Sequence, residues 1–236
     1  YAKSGLLTQT QEVFDKLLIH DTVTWNSLIF SYAESGYCQK ALGYFRCMQE
    51  EHNIPDDITL VCVLGTCCSI GAISMGQEIH TEIIRYGIWE KDLLVGSALV
   101  DMYAKCGMVE KAHEMLEELS FRDIVCWSAL ISGHAQEGQG HEALMCFTQM
   151  QNEGVVPDEV TFLCVLTSCC HSGLVNEAQM IFGDMQKQYG VTPKIEHYTC
   201  MVVVLGCAGL FDKALSLMQV MPSSDYPAVW LALLGA

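Results

Sequence analysis

Positive charge is scarce in this chain: its 236 residues hold 12 Lys and Arg against 28 Asp and Glu, a formal net charge of −16. That balance excludes a broadly basic surface of the kind that grips phosphates regardless of sequence. Long apolar runs are also missing. The longest, Cys200 to Phe211, is about a dozen residues, short of the roughly 18–20 that a helix needs to cross a bilayer, so no membrane partner is expected. No CxxC occurs among the 13 cysteines, which fall in apolar strings such as LVCVLGTCC and FLCVLTSCC. There Cys packs as a small hydrophobe, so a reducing compartment is expected, with no disulfide framework, metal or cofactor. With 51% hydrophobic and 17% charged residues, the chain has ample material for a buried core, which excludes intrinsic disorder.

The sequence repeats itself. VTWNSLIFSYAESGYCQKALGYFRCMQEEHNIPD from Val23 aligns with VCWSALISGHAQEGQGHEALMCFTQMQNEGVVPD from Val125, an offset of 102 residues. The same offset carries ITLVCVLGTCCSIGAISMGQEIH from Ile58 onto VTFLCVLTSCCHSGLVNEAQMIF from Val160, and Tyr1 onto Tyr103. Three different units therefore recur together as one triplet.

Apolar residues within a unit fall at helical spacing: Trp127, Leu130, Ile131, His134 and Ala135 share one stripe, and Ala143, Leu144, Phe147 and Met150 another. The glycines from Gly138 to Gly140 break the pattern between them, and GVVPD, with Pro157 before Asp158, ends the unit. Each unit is a helix, turn, helix, turn module. One hairpin cannot bury both of its apolar faces, so neighbours stack and share them, which predicts a solenoid whose inner side binds something. Gly71 and Gly173 recur in register beside the cysteine pairs Cys67–Cys68 and Cys169–Cys170, which reads as small residues allowing close helix approach.

The strings WNSLI, YAKCG, EAL-x-x-F-x-x-M and V-x-PD together resemble pentatricopeptide repeats. The three unequal units resemble the P, long and short motifs of the PLS subclass found in plant organelles. The resemblance covers essentially the whole chain and implies an all-α fold, a right-handed α-solenoid of stacked helix-turn-helix repeats. The boundaries it implies are a partial short repeat at 1–21, a P repeat at 22–56, a long repeat at 57–92, a short repeat at 93–123, a P repeat at 124–158, a long repeat at 159–194 and a short repeat at 195–225. Units of 35, 36 and 31 residues together make up the 102-residue offset. Residues 226–236 resemble the start of the E motif that follows the last triplet in organellar RNA editing factors. A deaminase domain of that family needs an HxE and a later PCxxC for its zinc site; neither is expected to serve here, and with no PCxxC in the chain no enzyme is expected. The chain opens on Tyr1 without Met and reads as a piece of something longer, its targeting signal missing, from a chloroplast or mitochondrial protein.

The resemblance further implies one base per repeat, read by the fifth and last residues of each motif. These pairs are Asn26 with Asp56, Ser97 with Asp123, Ser128 with Asp158, and Thr199 with Asp225. A carboxylate only accepts, so it suits bases offering an N–H on the Watson–Crick edge, guanine and uracil. The family code gives uracil for the Asn pair and guanine for the others, hence single-stranded RNA reading U-N-G-G-N-G, with the last guanine upstream of the edited cytidine. The long motifs have Val61 with Asp92 and Leu163 with Lys194, and an apolar fifth residue reads no edge. Val23 and Val125 stand at the second position, where the family wedges bases; ordinary helix-start packing suits them equally, just as helix N-capping suits the aspartates.

The acidic balance predicts weak RNA binding by this chain alone, salt-sensitive if a basic strip lines the inner face. Two rival readings stand beside RNA editing: a protein-interaction scaffold, and an RNA stabilisation or splicing factor using the same residues. Small organellar editing-factor proteins are expected partners of the long motifs, and the terminal faces at Tyr1 to Leu18 and Val229 to Leu234 allow self-association.

Overall fold

The computed structural model describes residues 7–88 and 92–221. Among them the regular structure is all helical, in two compact units, Tyr1–Phe121 and Arg122–Ala236. The first unit holds α1 (Leu7–Lys16), α2 (Thr22–Glu34), α3 (Cys38–Glu50), α4 (Asp57–Ile70), α5 (Ile73–Tyr86), α6 (Leu93–Lys105) and α7 (Val109–Glu118). The second holds α8 (Ile124–Gln136), α9 (Gly140–Asn152), α10 (Glu159–Ser172), α11 (Val175–Lys187), α12 (Ile195–Cys207) and α13 (Phe211–Gln219). Resemblance-based assignments at 1–6, 89–91 and 222–236, the E-motif start and Asp225 among them, lie outside the described residues.

The helices after α1 pair into hairpins whose two ends are set by different chemistry. Each of the first helices α2, α4, α6, α8 and α10 starts on an aspartate whose carboxylate accepts a backbone N–H of the first turn: Asp21, Asp56, Asp92, Asp123 and Asp158. Such a cap satisfies an orphan donor and favours the helix by about 1 kcal/mol. At α12, Lys194 replaces the aspartate, and its backbone N–H donates to Nδ1 of His197 at 3.0 Å.

First helices end in a Schellman turn. The N–H of Ala72 donates to the carbonyl of Cys67, and that of Leu174 to Cys169, both at 2.9 Å, across Gly71 and Gly173 at φ +63° and +68°. A Cβ at either glycine would meet nothing within 4 Å. The sequence reading of these two as close-approach residues is therefore corrected: they are present for the left-handed backbone that closes the turn. Close approach occurs elsewhere, at Gly140, where a Cβ would stand 2.5 Å from the Cβ of Ser172.

Within unit 1, α2 packs on α3 and α4, and α4 on α6; within unit 2, α8 packs on α9 and α10, and α10 on α12. First helices thus form a contiguous layer inside each unit, and their apolar stripes are the core. Trp25, Leu28, Leu60, Leu64, Leu99, Trp127, Leu130, Phe162 and Val202 are all buried there. Burial pushes the Cys67 and Cys169 thiols up to about 12, so both stay neutral and pack as apolar groups.

Candidate nucleic-acid interface

The first turns of the first helices carry the polar residues singled out by the repeat register. In unit 1, Nδ2 of Asn26 donates to both carboxylate oxygens of Asp56, at 2.9 and 3.1 Å, across 30 residues of sequence. Asp56 Oδ1 also accepts the backbone N–H of Thr59 at 2.8 Å and its hydroxyl at 2.7 Å. The Thr59 hydroxyl lies 2.5 Å from Oδ1 of Asn26. Capping and side-chain pairing are therefore not alternatives for this aspartate: Oδ1 caps α4, and Oδ2 meets the Asn26 amide.

Burial raises the Asp56 carboxyl, but hydrogen bonds from the Thr59 side chain, the Thr59 backbone and Asn26 outweigh it and hold the group below its ordinary value of 3.8. A carboxyl depressed on folding adds stability that is present above the unfolded pKa and lost as pH falls through the folded one. Unit 1 is accordingly expected to weaken below about pH 4, and Asp56→Asn to flatten that fall. Urea midpoints collected from pH 6 to pH 3 check this; identical slopes in the two proteins would remove Asp56 from the acid response.

In unit 2 the equivalent residues are joined through a threonine. Thr161 Oγ1 lies 2.9 Å from Asp158 Oδ1 and 2.9 Å from Ser128 Oγ, and its backbone N–H donates to Asp158 Oδ1 at 2.9 Å. Thr199 donates to the carbonyl of Ile195 at 2.8 Å, and its sequence partner Asp225 lies outside the described residues. Ser97, in unit 1, donates to the carbonyl of Leu93 at 2.8 Å. Asp123, in unit 2, accepts the N–H of Cys126 at 2.9 Å. Val23 and Val125 are 70% and 53% exposed, which sets aside core packing as their role.

Sequence reasoning missed two sets of residues. Ile58, Leu94 and Val160 occupy the same second position as Val23 and Val125 and are likewise exposed; the 102-residue offset between Ile58 and Val160 was the available signal. Thr59 and Thr161, at the third helical position after the capping aspartate, link cap to fifth residue; the D-x-x-T spacing of a capping box was their signal.

Electrostatics give phosphate little to hold. Among the described residues, first helices carry one Lys or Arg, Lys105, and it pairs with Asp101 at 2.7 Å. Lys194, just before α12, pairs with Glu159 at 2.6 Å. Among the described residues no basic strip runs along either layer of first helices, so the condition for steep salt dependence is not met there. His80, which with Glu82 spells the HxE of a zinc deaminase, is buried with Nδ1 2.8 Å from the Tyr103 hydroxyl, and no PCxxC accompanies it.

Comparison with known proteins agrees with this geometry. The family described as PPR repeat matches residues 23–52, 97–124, 160–189 and 196–226, over half of the chain; the PPR repeat family matches residues 122–171. A pentatricopeptide repeat-containing protein of Arabidopsis thaliana is 38% identical over 236 residues, 100% of this chain and 30% of that protein. A mitochondrial one from the same plant is 37% identical over 236 residues, 100% of this chain and 37% of that one. The chloroplastic protein DOT4 is 37% identical over 233 residues, 98% and 27% respectively. The chain thus spans about a third of the length of these relatives. Among solved structures, the pentatricopeptide repeat protein PPR10 in complex with an 18-nt psaJ RNA element matches with TM-score 0.77 and 23% identity, over 92% of this chain and 32% of that one. PPR10 from maize matches with TM-score 0.71 and 22% identity, over 99% and 35%. The shared fold is an all-α repeat solenoid.

Proposed function

This chain belongs to the pentatricopeptide repeat family, and we propose that it is a single-stranded RNA-binding repeat segment that reads selected bases one repeat at a time. The observation that carries the reading is the bond between Asn26 and Asp56, which sets an amide N–H beside a carboxylate oxygen at the first turn of adjacent first helices. A donor next to an acceptor complements uracil, which offers N3–H beside a carbonyl. Exposed apolar side chains at Val23 and Val125 supply flat contact for stacked bases. The solved structure of a related fold with bound RNA supports the same assignment. The preferred RNA is U-N-G-G-N-G, and the role is to position an organellar transcript for C-to-U editing as part of a PLS-type protein of chloroplasts or mitochondria.

With few cations on the first helices, affinity rests on base contacts more than on phosphate neutralisation, so binding is weak and its salt slope shallow. Fluorescence anisotropy with U-N-G-G-N-G RNA, and with versions carrying A for each G, tests the proposal. Expected is a preference of about tenfold per guanine replaced; equal affinity for all versions would overturn base reading.

A second reading has its own observation. In unit 1 an open apolar groove of about 440 Å³ is lined by Phe30, Ile58, Val61 and Leu94, beside the first helix of the long repeat. Such a surface suits a protein partner, such as a small organellar editing-factor protein, and a scaffold role would predominate if no RNA bound.

A further inference from the structure

We infer that Thr161 is a specificity-determining residue that fixes Ser128, the fifth side chain of the preceding repeat, to face a base as an acceptor and not as a donor. The inference deepens the base-reading proposal and rests on it.

The argument follows single protons. A carboxylate accepts and never donates, so in the contact between Thr161 Oγ1 and Asp158 Oδ1, 2.9 Å, the proton is the threonine's. A hydroxyl has only one. The 2.9 Å contact between Ser128 Oγ and Thr161 Oγ1 therefore takes its proton from Ser128. With that proton turned toward Thr161, the Ser128 oxygen offers only lone pairs to anything approaching from outside. Together with Asp158 it makes an edge that accepts at both positions. Guanine is the base with two adjacent donors, N1–H and the 2-amino group; adenine offers an acceptor at N1 and no 2-amino group.

Ser97 and Thr199 reach the same polarity by another route, each donating its proton to the carbonyl four residues back, Leu93 and Ile195, at 2.8 Å. Ser128 has no such backbone bond and depends on Thr161. In unit 1 the fifth residue is Asn26 and the polarity is the opposite one, set by a different partner. Thr59 has one proton facing two acceptors, Asp56 Oδ1 at 2.7 Å and Asn26 Oδ1 at 2.5 Å, so it does not orient the amide by itself. The Asp56 carboxylate does, accepting from Asn26 Nδ2 with both oxygens and so holding the amide N–H side toward it. The threonine thus sets an acceptor pair for guanine at Ser128, whereas at Asn26 the carboxylate sets a donor–acceptor pair for uracil.

The test uses the whole chain with RNAs carrying guanine, inosine or adenine at the fourth nucleotide of U-N-G-G-N-G. Inosine keeps N1–H and lacks only the 2-amino group. The unmodified protein is expected to prefer guanine over inosine by about tenfold and over adenine by more. Thr161→Val frees the Ser128 proton, so the guanine-to-inosine ratio at the fourth nucleotide is expected to fall close to one while selectivity at the third nucleotide stays unchanged. Thr161→Ser restores the ratio. The valine variant keeps the backbone cap from Thr161 N–H to Asp158, and its thermal unfolding serves as the control for fold. Retention of the guanine-to-inosine ratio in Thr161→Val, or an equal loss at the third and fourth nucleotides, would overturn the inference. A wild-type chain indifferent to the fourth nucleotide would instead overturn base reading itself, and this inference with it.

Discussion

Replacement of Trp127 by alanine is expected to destabilise unit 2 by about 3–5 kcal/mol. Trp127 has no exposed surface and is among the largest fully buried side chains. It sits on α8, which packs on α9 and on α10, so truncation opens a cavity where a hairpin meets its neighbour. Stacked repeats gain stability from such neighbour interfaces, which makes the loss larger than that of one helix contact. For a unit of this size the midpoint of thermal unfolding should fall by roughly 10 °C or more. Trp127→Phe should cost less, because Nε1 of Trp127 is buried with no hydrogen-bond partner among the described residues and phenylalanine removes an unsatisfied donor along with some packing. Urea titration followed by circular dichroism measures both variants. A loss under about 1 kcal/mol for the alanine variant would mean that the α8–α10 layer is not closed around this ring.

Ser128→Asn is expected to move the preference at the fourth nucleotide from guanine to uracil, by about 10- to 100-fold in the ratio of affinities. The reason lies in unit 1, where Asn26 meets the same pair of partners, an aspartate cap and the threonine three residues after it. Asp158 and Thr161 repeat that pair beside Ser128, so an amide at this position finds the carboxylate that orients its N–H groups already placed. Anisotropy titrations with uracil and guanine at the fourth nucleotide, and guanine held at the third, measure the change. A variant that binds with unaltered preference would show that the amide does not face the base.

Much of this was legible in the chain because helices leave a periodic trace. The stripe of Trp127, Leu130, Ile131, His134 and Ala135 marked a buried helix face, and all five are buried. Turn chemistry was legible as well, since a glycine follows every first helix from α2 to α12 and Pro-Asp ends both P repeats. Its meaning was less so. Gly71 and Gly173 looked like packing residues because small residues serve both purposes, and a positive φ leaves no mark on composition. The motif-final aspartates posed a choice between cap and reading head; at Asp56 the cap uses Oδ1 and leaves Oδ2 on the Asn26 amide, so capping does not exclude the proposed reading.

Sequence alone therefore sets the repeat, the helical hairpin, the aspartate caps and the shortage of cations, because each depends on residues close together in the chain or on a simple count. Folding adds what depends on residues about 30 positions apart. The hydroxyl of Thr59 reaches Asn26, that of Thr161 reaches Ser128, and Val23 and Val125 stay outside the core. A hydrogen bond's direction follows from which partners compete for one proton, and those partners are assembled only when neighbouring first helices lie side by side.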